Sequence, residues 1–235
     1  MMNNKKILIT SLFVFIATSL FAQTTSKQVT VSPFTSITAA NGVDLYLSQG
    51  TAEKLELKGD ADRLKDVQVS QENGVLKIEV KKSAGSLWSG NKESVKAYIT
   101  FKSLKSLNVS GGTDVYGQNA INLSSLSINA SGGSDLKLNI NTGELNVSLN
   151  GGSDAELSGK AKTFTIVAKG GSDVSAYKLL AETCNATCSG GSDAELYASK
   201  TLQIAASGAS DVSYKGGASV KTVSSSGSSD ISKAD

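Results

Sequence analysis

A four-residue motif, Gly-Gly-Ser-Asp or a close variant of it, occurs seven times in the second half of this 235-residue chain. From Asp114 onward, successive motif aspartates are 21, 19, 19, 20, 18 and 19 residues apart. A period this regular is typical of a chain built from stacked copies of one supersecondary unit. The repeat therefore constrains the fold more strongly than any single segment does.

The segments between the motifs alternate apolar and polar residues. "SLNVS" at 106–110, "FTIVAK" at 164–169 and "LQIAAS" at 202–207 have this period of two, which indicates β-strands. When the repeats are aligned on their glycines, apolar residues occupy the same columns, and the exceptions, Lys105, Lys221 and Ser225, lie in the first and last units. We therefore predict an all-β fold, a parallel β-helix (solenoid) with about 19–20 residues per coil. An antiparallel sandwich is the rival, but it gives no reason for seven copies to stay in register.

The two glycines of the motif have different substitution patterns. The first is glycine in all seven copies, whereas the second is replaced by Ala209 and Ser228 in the last two. A position that needs positive φ favours glycine, whereas a position that needs only a small side chain also accepts alanine or serine. We predict a left-handed first position and a merely tight second one. A partial copy, Asn41-Gly42-Val43-Asp44, predicts an earlier coil that contains Asp44.

The N-terminal part of the chain repeats less regularly. A helical turn is predicted at Asp60–Asp66, an exposed loop with Trp88 at 83–94, and a strand from Val95 to Phe101. We expect one domain over residues 23–235. It would comprise an irregular N-terminal part at 23–100 and regular motif-bearing coils at 101–235.

The first 22 residues have the layout of a secretory signal peptide. Lys5 and Lys6 precede an apolar run from Ile7 to Leu20, and Ala22 precedes the expected cleavage site. The apolar run is too short to span a bilayer comfortably, and no second one approaches that length. We predict an exported protein, located in the periplasm, on the outer surface or outside the cell, with no membrane-spanning segment in the mature chain.

Charge and composition exclude several functions. The leader holds two of the 23 basic residues and none of the 21 acidic ones, so the remainder carries 21 of each. A neutral chain with Arg63 as its only arginine is a poor candidate for binding nucleic acid. The chain has no histidine, which excludes Ser-His-Asp and Cys-His catalysis and the usual His-bearing zinc sites. We predict that it is not an enzyme.

Three stretches of the chain resemble one family. They are "VSPFTSITAANGVDLYLSQG" at 31–50, "VQVSQENGVLKIEV" at 67–80, and the repeated "SGGSD" motifs that follow "LKSLNVSGGTDV". Together they resemble the auto-transporter adhesin head GIN domain family of Bacteroidetes-type bacteria, over residues 29–233. The resemblance implies a right-handed β-helix and an exported, surface-associated protein. It implies no catalytic residues.

The motif aspartates are the sharpest candidates for a binding site. In a parallel β-helix their carboxylates would repeat at about 4.8 Å, where like charges repel unless a cation such as calcium compensates them. Alternatively, each carboxylate accepts hydrogen bonds from backbone N–H groups of its own turn, assisted by the preceding Ser or Thr. We favour this structural turn and predict no metal and no cofactor. Its residues are Gly111, Asp114, Gly132, Asp135, Gly151, Asp154, Gly170, Asp173, Gly190, Asp193, Gly208, Asp211, Gly227 and Asp230.

The cysteines and the outward aromatic residues give weaker signals. Cys184 and Cys188 would both face inward on one strand with their Cα atoms roughly 13 Å apart, too far for a disulfide. We expect buried free thiols. Tyr177 and Tyr197 occupy matching positions in successive coils and, with Trp88, could stack on sugars. We therefore predict an adhesin or cell-envelope interaction module whose partner is a protein or a surface glycan. A glycan-binding or glycan-processing β-helix protein is the alternative.

Overall fold

The computed structural model describes residues 25–81 and 94–235, which form seventeen strands and one short helix. The predicted signal peptide and Trp88 lie outside these residues. The N-terminal elements are β1 (Thr25–Val29), β2 (Ser36–Ala40), β3 (Val43–Gln49), β4 (Lys54–Gly59), α1 (Ala61–Asp66), β5 (Val67–Glu72), β6 (Val75–Val80) and β7 (Val95–Phe101). The later elements are β8 (Ser106–Ser110), β9 (Val115–Gly117), β10 (Ile121–Ser131), β11 (Leu136–Asn150), β12 (Ala155–Gly170), β13 (Val174–Gly190), β14 (Ala194–Gly208), β15 (Asp211–Lys215), β16 (Ser219–Gly227) and β17 (Asp230–Lys233).

Successive repeats pair side by side in parallel. β11 pairs with β12, β12 with β13 and β13 with β14, and beside the motifs the register follows the motif spacing. Between the motifs, the β12–β13 and β13–β14 pairs shift register. The result is a β-solenoid of about seven turns, as predicted. The parallel pairing of the repeats excludes the antiparallel sandwich.

The alternating apolar residues point into the solenoid. Phe164, Cys184 and Leu202 are direct neighbours on β12, β13 and β14, and each is no more than 1% exposed. Equivalent residues of successive coils thus stack into apolar columns, because parallel in-register pairing places each side chain over its counterpart.

Both cysteines lie in this core and are free, as predicted. Burial raises the pKa of the Cys184 thiol to about 12 and that of Cys188 to about 11. Protonated thiols in apolar surroundings behave as small hydrophobic side chains and are chemically inert.

The irregular N-terminal part is placed at one end of the solenoid. β2 pairs with both β6 and β8, and β3 with both β7 and β9. The coil that contains Asp44 therefore lies directly beside the coil of Asp114, as the partial motif predicted. β4 and β5 add antiparallel strands outside this coil, and α1 lies between them in sequence.

The predicted helical turn forms where its N-cap residue indicates. The Asp60 carboxylate accepts hydrogen bonds from the backbone N–H groups of Asp62 (2.9 Å) and Arg63 (3.3 Å). These are donors that the first turn of a helix leaves without a partner. Leu64 is the buried residue of α1 and closes this end of the core. No helix in the described ranges is long and apolar enough to cross a membrane.

Candidate functional site

The first glycine of every motif has the left-handed backbone that the sequence predicted. The φ angles lie between 67° at Gly111 and 86° at Gly170. Asn41 takes the same conformation in the partial motif, with φ of 64°. Asparagine is among the non-glycine residues that tolerate this region best.

The second motif position takes two conformations, which corrects the prediction that it is merely tight. Gly112, Gly133 and Gly152 also have positive φ, between 72° and 87°, whereas the second residues of the last four motifs do not. The peptide between the two positions points in opposite directions in the two groups. Gly112 N–H donates forward to Gly132 O (3.1 Å), whereas Gly191 N–H donates back to Gly170 O (2.7 Å). The motif therefore folds into two related turns.

The motif serine, rather than the aspartate, holds the turn from inside. Ser172 Oγ donates to Lys169 O in its own turn (3.0 Å) and accepts from Ser153 N–H of the preceding coil (3.3 Å). From the sequence, only an assisting role is expected for this column. The signal was its invariance as Ser or Thr in all seven motifs. Its first six members are fully buried, namely Thr113, Ser134, Ser153, Ser172, Ser192 and Ser210.

The aspartate carboxylates accept hydrogen bonds from the neighbouring coil. The prediction that they accept from backbone N–H groups of their own turns is wrong. Asp154 Oδ1 accepts from the backbone N–H of Asp173 (2.9 Å), and Asp173 Oδ1 accepts from that of Asp193 (3.3 Å). The same bond joins Asp135 to Asp114 and Asp211 to Asp193. Each of these four carboxylates thus connects one coil to the next, because parallel stacking brings the equivalent N–H group of the next coil alongside it. The series ends at Asp211, since Asp230 N–H donates to Ser210 O instead (3.2 Å).

The electrostatic environment of the aspartate row is unfavourable to ionisation at two positions. The pKa of Asp135 is raised, first by burial and then by the charges of Asp114 and Asp154. The pKa of Asp44 is also raised, mainly by burial, although Ser94 Oγ donates a hydrogen bond to it. Among the residues the structure describes, no cluster of three or more Asp, Glu or Cys side chains is arranged to hold a metal ion. The absence of a metal site remains a prediction.

The aspartates form one edge of what we call the charged face. Beside their row, a second outward row crosses the strands through Lys137, Glu156, Ser175, Glu195 and Ser213. Lys137 and Glu156 form an ion pair at 2.6 Å. Towards the C-terminal end, four motif aspartates and Glu195 line an open groove of about 580 Å³.

Three tyrosines continue the second row of the charged face towards the N-terminal end. The ring of Tyr46 stacks on Tyr98 at 4.7 Å between centroids and on Tyr116 at 5.2 Å. Lys58 Nζ lies 4.8 Å from the centre of the Tyr98 ring. This stack was not predicted from the sequence. Tyr46 and Tyr116 each follow a motif aspartate by two residues, but the strand of Tyr98 has no motif, so only the structure shows its position.

Tyr177 and Tyr197 have matching positions relative to their motifs but are not register partners. β13 and β14 lose register between Ser175 and Ala181, so Tyr177 and Tyr197 are not paired across the two coils. Tyr177 is held elsewhere, with its hydroxyl donating to Ser213 Oγ (2.6 Å) and Lys215 Nζ 4.9 Å from its ring centre. The cause is the unequal coil length, 20 residues from Asp173 to Asp193 and 18 from there to Asp211, which requires a bulge.

The other strand of each coil presents what we call the uncharged face. It consists of three parallel rows of outward residues that run from β2 to β16, and Lys169 is the one charged residue in this span. Beyond β2, the second and third rows end on β6 at Lys77 and Glu79, which form an ion pair at 2.9 Å. The first row is Ser36, Ser106, Ser127, Asn146, Thr165, Asn185 and Gln203. The second is Thr38, Asn108, Asn129, Ser148, Val167, Thr187, Ala205 and Ser224, and the third is Ala40, Ser110, Ser131, Asn150, Lys169, Ser189, Ser207 and Ser226.

The uncharged face contains two shallow depressions. One, of about 220 Å³, is lined by Thr38, Asn108, Asn129 and Asn150 among others. The second, of about 180 Å³, lies further along the same rows beside Asn185 and Gln203. Asn129 Nδ2 donates to Asn108 Oδ1 at 2.9 Å, so amide side chains here are oriented by one another. The face offers ordered donors and acceptors on a rigid sheet.

Comparisons with known proteins agree with this architecture. A family model described as "Putative auto-transporter adhesin, head GIN domain" matches residues 33–218. A comparison with curated proteins gives no match.

Three solved structures share the fold. A protein from Bacteroides fragilis described as a putative adhesin is 24% identical, with a TM-score of 0.85 over 90% of this chain and 97% of the other. A putative adhesin from Parabacteroides merdae is 18% identical, with a TM-score of 0.70 over 91% and 97% of the two chains. A protein from Parabacteroides distasonis described as a putative lipid binding protein is 20% identical, with a TM-score of 0.67 over 90% and 97%. At these identities the likeness establishes the fold alone.

Proposed function

This chain belongs to the auto-transporter adhesin head GIN domain family, and from that membership we propose that it is a non-enzymatic, exported adhesin or cell-envelope interaction module. Its predicted signal peptide supports export, and its lack of histidine supports a role without catalysis. Binding would be carried by the outer surface of the solenoid, which is long, rigid and regular.

The observation that carries the proposal is the uncharged face. Its Ser, Thr, Asn and Gln side chains both donate and accept hydrogen bonds, as sugar hydroxyl groups do. From β2 to β16 these three rows contain one charged residue, and the Lys77–Glu79 ion pair that ends them on β6 carries no net charge, so the face does not favour a strongly charged partner. The surface therefore suits a neutral glycan better than an anionic polymer, and we take a surface glycan as the partner. Its two depressions are the expected contact points.

The Tyr46 stack is a weaker candidate for sugar binding. A sugar stacks on an aromatic face, but Tyr46 is covered by a ring on each side and the outer face of Tyr98 by Lys58. We assign this stack to packing between coils, where aromatic pairs contribute about 0.5–1.5 kcal/mol beyond area burial.

A glycan array probed with the mature chain tests the proposal. We expect binding to neutral glycans, and we expect Asn129→Lys, which places charge and bulk in the first depression, to weaken it by at least about tenfold. Ser175→Lys makes a comparable change on the charged face and is the matched control, expected to bind like the parent.

Two results would count against this function. An array without any reproducible signal, together with capture of a protein partner by the same chain, would assign binding to a protein instead. An equal loss of glycan binding in both lysine variants would show that the uncharged face is not the binding surface.

A further inference from the structure

The two ends of the solenoid are built differently. At the N-terminal end, β1, β4, β5 and α1 cover the first coil, and Leu55, Leu57 and Leu64 are at most 5% exposed. At the opposite end the last coil consists of β16 and β17. Within the described residues, β16 pairs only with β14, and β17 only with β15.

Apolar side chains of the last coil are exposed at this open end. Val220 and Val223 are 41% and 49% exposed, whereas Leu202 and Ile204, which precede them in the same columns, are at most 1% exposed. Val220 and Val223 are two of the three large apolar residues that are exposed in the described part of the chain. The interior columns therefore continue to the surface here without a cover.

The strand edges of this coil also lack partners. An edge strand presents a row of backbone N–H and C=O groups, and such edges pair readily with another strand unless they are short, charged or covered. β16 is nine residues long and contains one charged residue, Lys221. An occupant must pair with both edge strands and also cover the apolar columns between them. A second coil of the same outline does both.

We propose that the last coil is a dimer interface, in which a second copy of this chain docks end to end about a twofold axis. If the axis lies between the two coils and crosses β16 and β17 at their midpoints, each strand lies antiparallel to its own counterpart. The midpoint of β16 is Val223, so the two Val223 side chains meet on the axis. This contact uses the same surface on both copies and is closed, so it forms dimers and not filaments.

The charges of β17 match this arrangement. The midpoint of Asp230–Lys233 lies between Ile231 and Ser232, which places Asp230 opposite Lys233 of the second copy, and the reverse. Asp230 lies on the last coil that the structure describes, so among the described residues its carboxylate has no N–H group of a following coil beside it. From Gly216 to Asp235 the chain carries two basic and two acidic residues, so two such ends do not repel each other.

Analytical ultracentrifugation of the mature chain over a range of concentrations tests the proposal. We expect a species of twice the monomer mass. Val223→Lys places two like charges together on the axis and should give a monomer. Because Val223 is exposed within one chain, this variant should fold, which circular dichroism checks. Val167→Lys makes the same chemical change on the uncharged face and should leave the dimer intact.

Two further variants identify the register. Asp230→Lys and Lys233→Asp should each weaken the dimer, and the double exchange should restore it, since the opposite charges are again paired. Val223→Cys should form a disulfide between copies on oxidation, because Cα atoms of directly opposed antiparallel residues lie about 4.5–5.5 Å apart. A parent chain that is monomeric at every concentration overturns the proposal. So does a dimer that neither Val223→Lys nor the single charge exchanges affect.

Discussion

At the scale of single residues, neighbouring polar side chains of one motif have different functions. Ser172 is fully buried and bonded to two backbone groups, whereas Asp173 is exposed and bonded to one. A buried backbone group that loses its partner is costly, since water does not replace it, whereas an exposed one is resolvated. The stability of the turn therefore depends more on the serine than on the aspartate.

Three variants of one turn test this order. Ser172→Ala leaves the buried Ser153 N–H without its partner, and leaves Lys169 O with Gly151 N–H alone. It should lower the free energy of unfolding by about 1–3 kcal/mol. Asp173→Ala should cost less, about 0.5–1 kcal/mol, and Asp173→Asn least, because the amide oxygen still accepts from Asp193 N–H. Urea denaturation of the three variants measures the order. A larger loss in Asp173→Ala than in Ser172→Ala would contradict it.

The raised pKa of Asp135 predicts a pH-dependent stability difference. A carboxyl whose pKa is higher in the folded state than its ordinary 3.8 destabilises the fold when ionised and is relieved as it is protonated. Asp135→Asn should therefore be more stable than the parent at neutral pH. This advantage should shrink as the pH falls through the raised pKa towards 3.8. Melting temperatures of both proteins across this range test the sign, and a growing advantage at low pH would refute it.

At the scale of elements, the motif turn has two forms because one peptide flips. In the last two motifs the second position is Ala209 or Ser228, and neither residue has positive φ. Gly171 and Gly191 also lack positive φ, although glycine permits both conformations. The difference predicts which glycines accept a side chain. A Cβ on Gly170 would lie 3.1 Å from Gly151 N, with φ of 86°, whereas a Cβ on Gly171 would meet no atom within 4 Å.

Alanine substitutions at the motif glycines separate backbone strain from crowding. Gly170→Ala should destabilise by about 1–3 kcal/mol, and Gly171→Ala should be neutral or stabilise by about 0.5 kcal/mol. A Cβ on Gly152 would have open space, since its nearest atom would lie 3.8 Å away, but the φ of Gly152 is 87°. Gly152→Ala should therefore destabilise by about 1–2 kcal/mol through backbone strain alone. Thermal denaturation orders the three, and equal effects at 170 and 171 would contradict the two-turn description.

At the scale of the whole molecule, stability should vary along the solenoid axis. β12 pairs on both sides over most of its length, whereas β16 and β17 pair on one side each. In a solenoid each coil is stabilised by its neighbours, so the end with one neighbour opens first. Hydrogen exchange of dilute protein should be slowest in β11–β13 and fastest, among the motif coils, in β16 and β17. Uniform exchange through all coils would show that the solenoid opens as one unit.

The repeated part of this protein follows from its amino-acid sequence. A period near 19 residues, apolar columns and an invariant first glycine define a parallel solenoid, because identical coils in register bury identical side chains together. The coil of Asp44 was also predictable, since Asn41 and Gly42 reproduce the turn. The inward, unbonded cysteines follow from the spacing of side chains on one strand.

Tertiary structure alone decided what depends on neighbours across coils. The aspartates bond to the next coil, Tyr98 joins Tyr46 and Tyr116, and a bulge separates Tyr177 from Tyr197. The covered and open ends are likewise visible only when the strands are assembled. Local sequence specifies a strand and the side to which each residue points. Which residues lie beside a given residue in the neighbouring coils depends on how many residues each coil contains. One extra residue in a coil changes these neighbours.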